Sequence, residues 1–264
     1  MADTDLANLT DHSEAGARMT GTVPPSKILT TEIPRYVEDY ASRLLSIPDI
    51  ASAVADALDE LGIGAAINAT DLPPVAADAR MCGPAVTLRY VPLGGDVTGN
   101  RENGCGTTFG DRDLYGLGRP GDVAVMDCSG SRSGAVMGAL SARWAVKAEI
   151  AGCVVDGAIR DTASILASGL PVWSATRNPA AARYRYETVQ MNGPVSLAGH
   201  LVNPGDYIVA DIDGVCVIPF FDVPRVVDHC EHAHRTEVAF IDRIDAATTL
   251  EELVAGLTPG TAPA

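Results

Sequence analysis

A chain of 264 residues, 47% hydrophobic and 20% charged, is long enough to bury a substantial core in one large domain or in one domain with an arm. A formal charge of −15 excludes the broad basic face that nucleic acid or an anionic membrane requires, so neither is expected as a partner. Six cysteines lie far apart with no CxxC pair, and no signal-like or membrane-length apolar segment is seen. Reduced thiols in a soluble, cytoplasmic protein are therefore expected.

Residues 1–35 carry little apolar periodicity, are broken by Pro24-Pro25, and read as a flexible arm. Two helical patterns follow, Arg35–Leu45 and Ser46–Leu61, the second with Ile50, Val54, Leu58 and Leu61 on one face. Asp56, Asp59 and Glu60 then fall on a solvated face. Met81–Tyr90 reads as a strand. From Leu93 to Gly118 the chain runs through eight glycines and many charges with almost no apolar periodicity, which predicts either a lid over a ligand or a passive insertion.

Arg119-Pro120-Gly121-Asp122 is turn chemistry feeding a buried strand, Val123–Asp127. Cys128-Ser129-Gly130-Ser131 is a small-residue loop, and a helix is expected over Gly134–Lys147. Ala135, Gly138, Ala139, Ala142, Ala145 and Val146 would form its small-residue face, with the first turn offering unpaired N–H groups to an anion. The run Ile150–Val155 is too short and too β-branched for a helix and predicts a buried parallel strand. It leads into Asp156-Gly157-Ala158-Ile159-Arg160-Asp161, which places Arg160 and Asp161 at a strand's carboxyl end, where open α/β sheets bind ligands.

A short helix to Ser168 and a strand at Val172-Trp173-Ser174 come next. Arg177, Arg183 and Arg185, interleaved with Tyr184 and Tyr186, form the one locally basic stretch. They suit either a second substrate carboxylate or salt bridges at the surface or between subunits. Asn203-Pro204-Gly205-Asp206 with Tyr207–Asp211 repeats the earlier turn-and-strand pattern position by position, so it is architectural first; Asp211 and Asp213 fit a turn as well as a metal. The last helix, Val223–Ile244, carries His229, Cys230, Glu231, His232 and His234 without a completing cluster, which favours a helix surface over a soft-metal site. The domain is expected to span 36–245, followed by a tail, 246–264.

Several of these motifs together resemble a known family. Pro120-Gly121-Asp122-Val123, Asp127, Gly130, Gly138, the Val154–Asp161 run, Pro204-Gly205-Asp206 and Ala210–Val215 look like the RraA-like superfamily, which includes 4-hydroxy-4-methyl-2-oxoglutarate / 4-carboxy-4-hydroxy-2-oxoadipate aldolases. The resemblance covers about Ile50 to Ile244. It implies an α/β fold of the swivelling β/β/α type, here with an extra N-terminal helical arm, assembled as a homotrimer or homohexamer with sites between subunits.

The resemblance also implies a site. Asp161 would position Mg2+ (or Mn2+) largely through water, and Arg160 would face a small anionic 2-oxo acid. Backbone N–H groups near Gly138, Ala139 and Leu140 would receive the substrate carboxylate, and Glu237 is the nearest counterpart of a glutamate that reaches a neighbouring subunit's site. One position departs from the pattern: Ala139 stands where the aldolases carry an aspartate of the proton-moving network. The implied activity is a metal-dependent aldolase or decarboxylase. The alternatives are an isomerase or hydrolase on the same site, or a non-catalytic regulator of ribonuclease E type.

Overall fold

The computed structural model describes residues 14–255. A short helix α1 (Glu14–Arg18) and an extended segment precede α2 (Tyr40–Leu45) and α3 (Ile50–Leu61). Asp39 caps α2 by accepting from the Ser42 N–H at 3.0 Å, and Gly62 ends α3 in the left-handed conformation. Strands β1 (Ala65–Asn68) and β2 (Met81–Pro92) lead to α4 (Val97–Glu102) and α5 (Asp111–Leu117), then β3 (Val123–Asp127), β4 (Ala135–Met137) and α6 (Ala139–Lys147). Strand β5 (Gly152–Ile159), α7 (Thr162–Ser168), β6 (Val172–Arg177) and β7 (Tyr186–Met191) follow. A hairpin of β8 (Val195–Leu197) and β9 (His200–Val202), strands β10 (Tyr207–Ala210) and β11 (Gly214–Ile218), and helices α8 (Val223–Ala246) and α9 (Leu250–Ala255) complete the chain.

Nine strands form one mixed sheet in the order β1-β11-β10-β2-β3-β5-β4, with β6 on β5 and β7 on β2. Strand β2 joins its two halves. Met81–Pro84 pairs antiparallel with β10, whereas Ala85–Arg89 pairs parallel with β3. The repeated turns explain this junction. Gly121 (φ +87°) and Gly205 (φ +93°) take the left-handed position that follows proline in a type II turn. Asp122 and Asp206 each accept the N–H of the residue three back, Arg119 at 2.8 Å and Asn203 at 2.7 Å. The echo in the sequence is thus two matching turns feeding the strands on either side of β2.

The apolar run predicted at Ile150–Val155 is strand β5, buried along Gly152–Val155 and extending to Ile159. Helices α2, α3 and α8 cover β10 and β11 through Leu44, Ile50, Val54, Leu58, Val226 and Val227. Helices α5, α6 and α7 cover β2, β3 and β5. Cysteine placement agrees with the expectation of free thiols: all six are unpaired, five of them buried and Cys105 exposed. Among the described residues, no helix is long and apolar enough to cross a membrane.

Three local expectations change. The helix expected from Gly134 begins at Ala139, because Ala135-Val136-Met137 extends the sheet edge as β4 beside β5. The 93–118 stretch is neither lid nor passive insertion throughout. Its second half is α5, whose Leu114, Tyr115 and Leu117 are core residues; three apolar side chains among glycines are too short a run to show as a period.

The segment read as a flexible arm also divides. Residues 1–13 lie outside the described residues. Val23 and Ile33 are core, and Asp113 of α5 accepts the N–H groups of Thr20 (2.5 Å), Gly21 (3.2 Å) and Val23 (2.8 Å) and the Thr20 hydroxyl (2.6 Å). A buried carboxylate that collects four donors holds a polar segment without any apolar periodicity.

Candidate functional site

The site is built where β5 ends. Arg160 closes the strand with its N–H on the Met137 carbonyl of β4, at 3.0 Å. Asp161 then adopts a left-handed backbone (φ +57°, ψ +39°) as the residue before α7, and its carbonyl accepts Ser164 and Ile165 N–H at 2.9 and 3.0 Å. Aspartate tolerates that conformation better than most side chains. The turn aims its carboxylate across to α6, where Oδ2 accepts the Ala139 N–H at 3.1 Å.

Gly138, extended at φ −158°, makes that approach possible. A Cβ there would lie 2.7 Å from Asp161 Oδ2 and 3.2 Å from Arg160 Cγ. The Arg160 guanidinium stands 3.8 Å from the same carboxylate, beyond hydrogen-bond reach, and both side chains are about half exposed. Neither is tied up internally.

Both face a cavity of about 610 Å3. One wall is the β4–α6 corner, Ala135 to Ser141; another is Thr107, Phe109, Asp111 and Arg112; a third is Ala181, Ala182 and Arg183. Three arginines, Arg112, Arg160 and Arg183, therefore meet in one opening of a strongly acidic protein, against the carboxylates Asp111 and Asp161. Arg112 lies over the Trp144 ring at 5.5 Å, and Arg183 over Tyr184 at 5.8 Å, contacts that hold each guanidinium in place.

Asp111 is only 6% exposed. Burial pushes its carboxyl above the usual carboxylate range, with the Ser141 hydroxyl and the Arg112 charge pulling the other way.

Of the residues the sequence pointed to, Gly138, Ala139, Leu140, Arg160 and Asp161 come together in this cavity. The Ala139 N–H is already engaged by Asp161, so the first-turn amides left without a hydrogen-bond partner among the described residues are those of Leu140 and Ser141. Glu237 lies on α8, exposed, with its carboxylate 4.0 Å from His234 and outside the cavity lining. The sequence reading left Asp111, Arg112 and Ser141 out of the site. The first two sit in the glycine-rich stretch already marked as functional or inserted, and only the packing of α5 shows which.

Other singled-out carboxylates serve structure. Asp156 accepts the Ala198 N–H at 2.8 Å; Asp127 accepts Ser129 and Ser196 N–H and pairs with Arg89 at 3.2 Å; Asp211 accepts Ala51 and Asp213 N–H in the β10–β11 turn. On α8, Cys230 is core, Glu231 pairs with Arg43 at 2.7 Å, and His229 lies 3.3 Å from Glu60.

Among the described residues, no group of three or more His, Cys, Asp or Glu could enclose an ion. Among the described residues Asp161 Oδ1 accepts no hydrogen bond, and Asp161 lines this opening, which leaves it one hard oxygen donor. A single carboxylate of that kind suits a cation such as Mg2+ that keeps most of its water shell, and does not suit zinc in a protein cage.

Comparison with known proteins agrees with this architecture. Residues 51–217 match the RraA-like family model described as Aldolase/RraA. Protein DlpA of Legionella pneumophila is 32% identical over 203 residues, 76% of this chain; the match spans only 31% of DlpA. A Halalkalibacterium halodurans protein named "Putative 4-hydroxy-4-methyl-2-oxoglutarate aldolase" is 31% identical over 182 residues, 69% of this chain and 77% of that one. Streptomyces coelicolor RraAS2, described as an unusual member of the RNase ES inhibitor RraA protein family, superposes with a TM-score of 0.65 at 26% identity, over 79% of this chain and 98% of its own. A structure from Pseudomonas syringae shares the fold, with a TM-score of 0.68 over 84% of this chain and 99% of its own at 24% identity. With the β2 junction, the repeated Pro-Gly-Asp turns and the Arg160-Asp161 strand end in place, the chain belongs to the RraA-like family.

Proposed function

We propose that this protein is a divalent-metal-dependent carbon–carbon lyase, an aldolase or decarboxylase acting on a small 2-oxo acid. The observation that carries the reading is the pairing at the β5 terminus: a half-exposed arginine beside a carboxylate that is held by a helix amide and keeps one oxygen free. Cleaving a bond one carbon removed from a 2-oxo group leaves a pyruvate enolate, and its formation requires positive charge near the developing oxyanion. Arg160 supplies such a charge, and the Leu140 and Ser141 amides suit the substrate carboxylate. Asp161 would hold Mg2+ or Mn2+ through water, and a bound divalent ion would add Lewis-acid stabilisation of the enolate. The relatives named as aldolases support the same class.

Ala139 offers no carboxylate, so in aldol cleavage the base comes from elsewhere, with Glu237 of a neighbouring subunit as the family-based candidate. Decarboxylation of an oxaloacetate-like acid needs no base for bond breaking and is the activity to look for first. Assembly as a homotrimer or homohexamer is carried by the family resemblance, and the exposed apolar side chains Leu140, Trp144 and Leu166 on α6 and α7 are compatible with contact to a neighbouring subunit.

The test is a panel of 2-oxo acids, including oxaloacetate and 4-hydroxy-2-oxo diacids, with pyruvate detection with and without Mg2+. Metal-stimulated pyruvate release that Asp161→Ala abolishes is expected. Failure of the protein to bind Mg2+ in calorimetry would overturn the reading and favour the regulator alternative.

A further inference from the structure

The cavity contains a carboxylate for which the pairing of Arg160 with Asp161 has no use. Asp111 lies on α5, across the opening from the β5 end, and is the one cavity-lining acid that is almost wholly withdrawn from water. A buried carboxylate needs a partner or a proton. Arg112 beside it turns toward the Trp144 ring, and the Ser141 hydroxyl that reaches Asp111 is shared with the Tyr115 hydroxyl at 2.8 Å. The other groups around it are Tyr90 of β2, Cys153 of β5 and Tyr115 of its own helix, all uncharged at neutral pH because burial raises each. Asp111 therefore has neutral side chains around it, one arginine at its side and the backbone N–H groups of Asp111 and Arg112 favouring its charge, yet burial outweighs these, and it lines the same cavity as Arg160 and Asp161.

We propose that Asp111 is the catalytic acid that protonates C3 of the pyruvate enolate, a role that Ala139 cannot share. This rests on the lyase reading above. In the step, the Asp111 O–H bond breaks and a C–H bond forms at C3 from the C2=C3 π pair, while the enolate oxygen returns to a C2 carbonyl. Asp111 is left as a carboxylate and regains its proton from water at the cavity mouth. The reverse step removes a methyl proton from pyruvate, so bound pyruvate exchanges its methyl hydrogens with solvent. Bond cleavage itself does not need Asp111, and that separates its role from those of Arg160 and Asp161.

The experiment uses the full chain with Mg2+. Exchange of pyruvate methyl protons in D2O is followed by proton NMR, and CO2 release from oxaloacetate is measured in parallel. Asp111→Asn is expected to slow exchange by about 100-fold or more, and to slow it by at least about tenfold more than it slows CO2 release. Exchange at the parental rate, or equal loss of both activities in a folded variant, overturns the proposal. If the parent with Mg2+ releases neither CO2 from oxaloacetate nor pyruvate from any 4-hydroxy-2-oxo diacid, the lyase reading fails and the proposal falls with it. Should Asp111→Asn not fold, Ser141→Ala carries the test. Losing the hydroxyl that favours the carboxylate is expected to move the pH midpoint of exchange upward, and an unchanged profile overturns the assignment.

Discussion

Gly138 and Asp161 are mutually exclusive with a side chain between them: the space a Cβ on residue 138 would fill is taken by Asp161 Oδ2, 2.7 Å away. Twenty-three positions apart in sequence, the two are brought together because β4 and β5 run parallel and end side by side. The Asp161 carboxylate is therefore positioned by an absence of side chain as much as by the Ala139 amide it accepts.

Gly138→Ala tests that relationship. The backbone at 138 is extended, so the methyl brings no left-handed strain and acts chiefly by displacing the carboxylate, with a smaller push on Arg160 Cγ at 3.2 Å. A loss of about 10-fold to 100-fold in Mg2+-stimulated pyruvate release is expected, with a stability change of only about 1–2 kcal/mol in urea unfolding. Unaltered activity would mean that Asp161 need not sit where it does.

Arg160→Lys keeps the charge and removes the planar fork. Among the described residues Arg160 makes no hydrogen bond through its side chain, and it stands 3.8 Å from Asp161, so the change should leave folding intact. KM for the 2-oxo acid is expected to rise by about tenfold or more, because lysine presents a point charge to a carboxylate or enolate that arginine meets bidentately. An unchanged KM in steady-state assays would remove Arg160 from substrate contact.

Asp113→Asn addresses the N-terminal segment. The native carboxylate accepts from Thr20, Gly21 and Val23, and an amide sets N–H donors against N–H donors. A stability loss of about 2–4 kcal/mol is expected, with new proteolytic cleavage near residues 18–24 in the folded protein. Protease mapping by mass spectrometry reads it directly.

The raised Asp111 carboxyl gives stability a pH dependence of definite sign. Between the unfolded value, 3.8, and its higher folded value, the folded state binds more protons than the unfolded one. Stability from this group therefore falls as pH rises through that window, the reverse of a salt-bridged aspartate. Asp111→Asn removes the titration, so its stability relative to the parent should improve from pH 4 to pH 7 in urea unfolding. A relative stability that is flat, or that worsens over this range, would show that the folded protein does not raise this group.

Much of this protein was legible along the chain because its signals are local. The buried runs Val123–Asp127 and Ile150–Val155 announce strands by apolar, β-branched composition, and Pro-Gly-Asp punctuation sets where two strands begin. Arg160 and Asp161 follow the second run after Asp156-Gly157-Ala158-Ile159, so their place near a strand's carboxyl end needed no tertiary information.

What the tertiary structure alone decided is which distant residues share the opening. Ala135 bridges to Ala181, through Ala135 N–H to the Ala180 carbonyl at 2.8 Å and Ala182 N–H to the Ala135 carbonyl at 3.0 Å, and this carries Arg183 to the cavity. Helix α5 brings Asp111 and Arg112 there because Leu114, Tyr115 and Leu117 pack into the core, three apolar residues whose burial depends on β2 and α6 being in place. Periodicity reports how an element meets its surroundings only when it is long enough to repeat, and about two turns of helix among glycines is not. The acid proposed to finish the reaction lies in that short helix, where sequence order carries no trace of its neighbours.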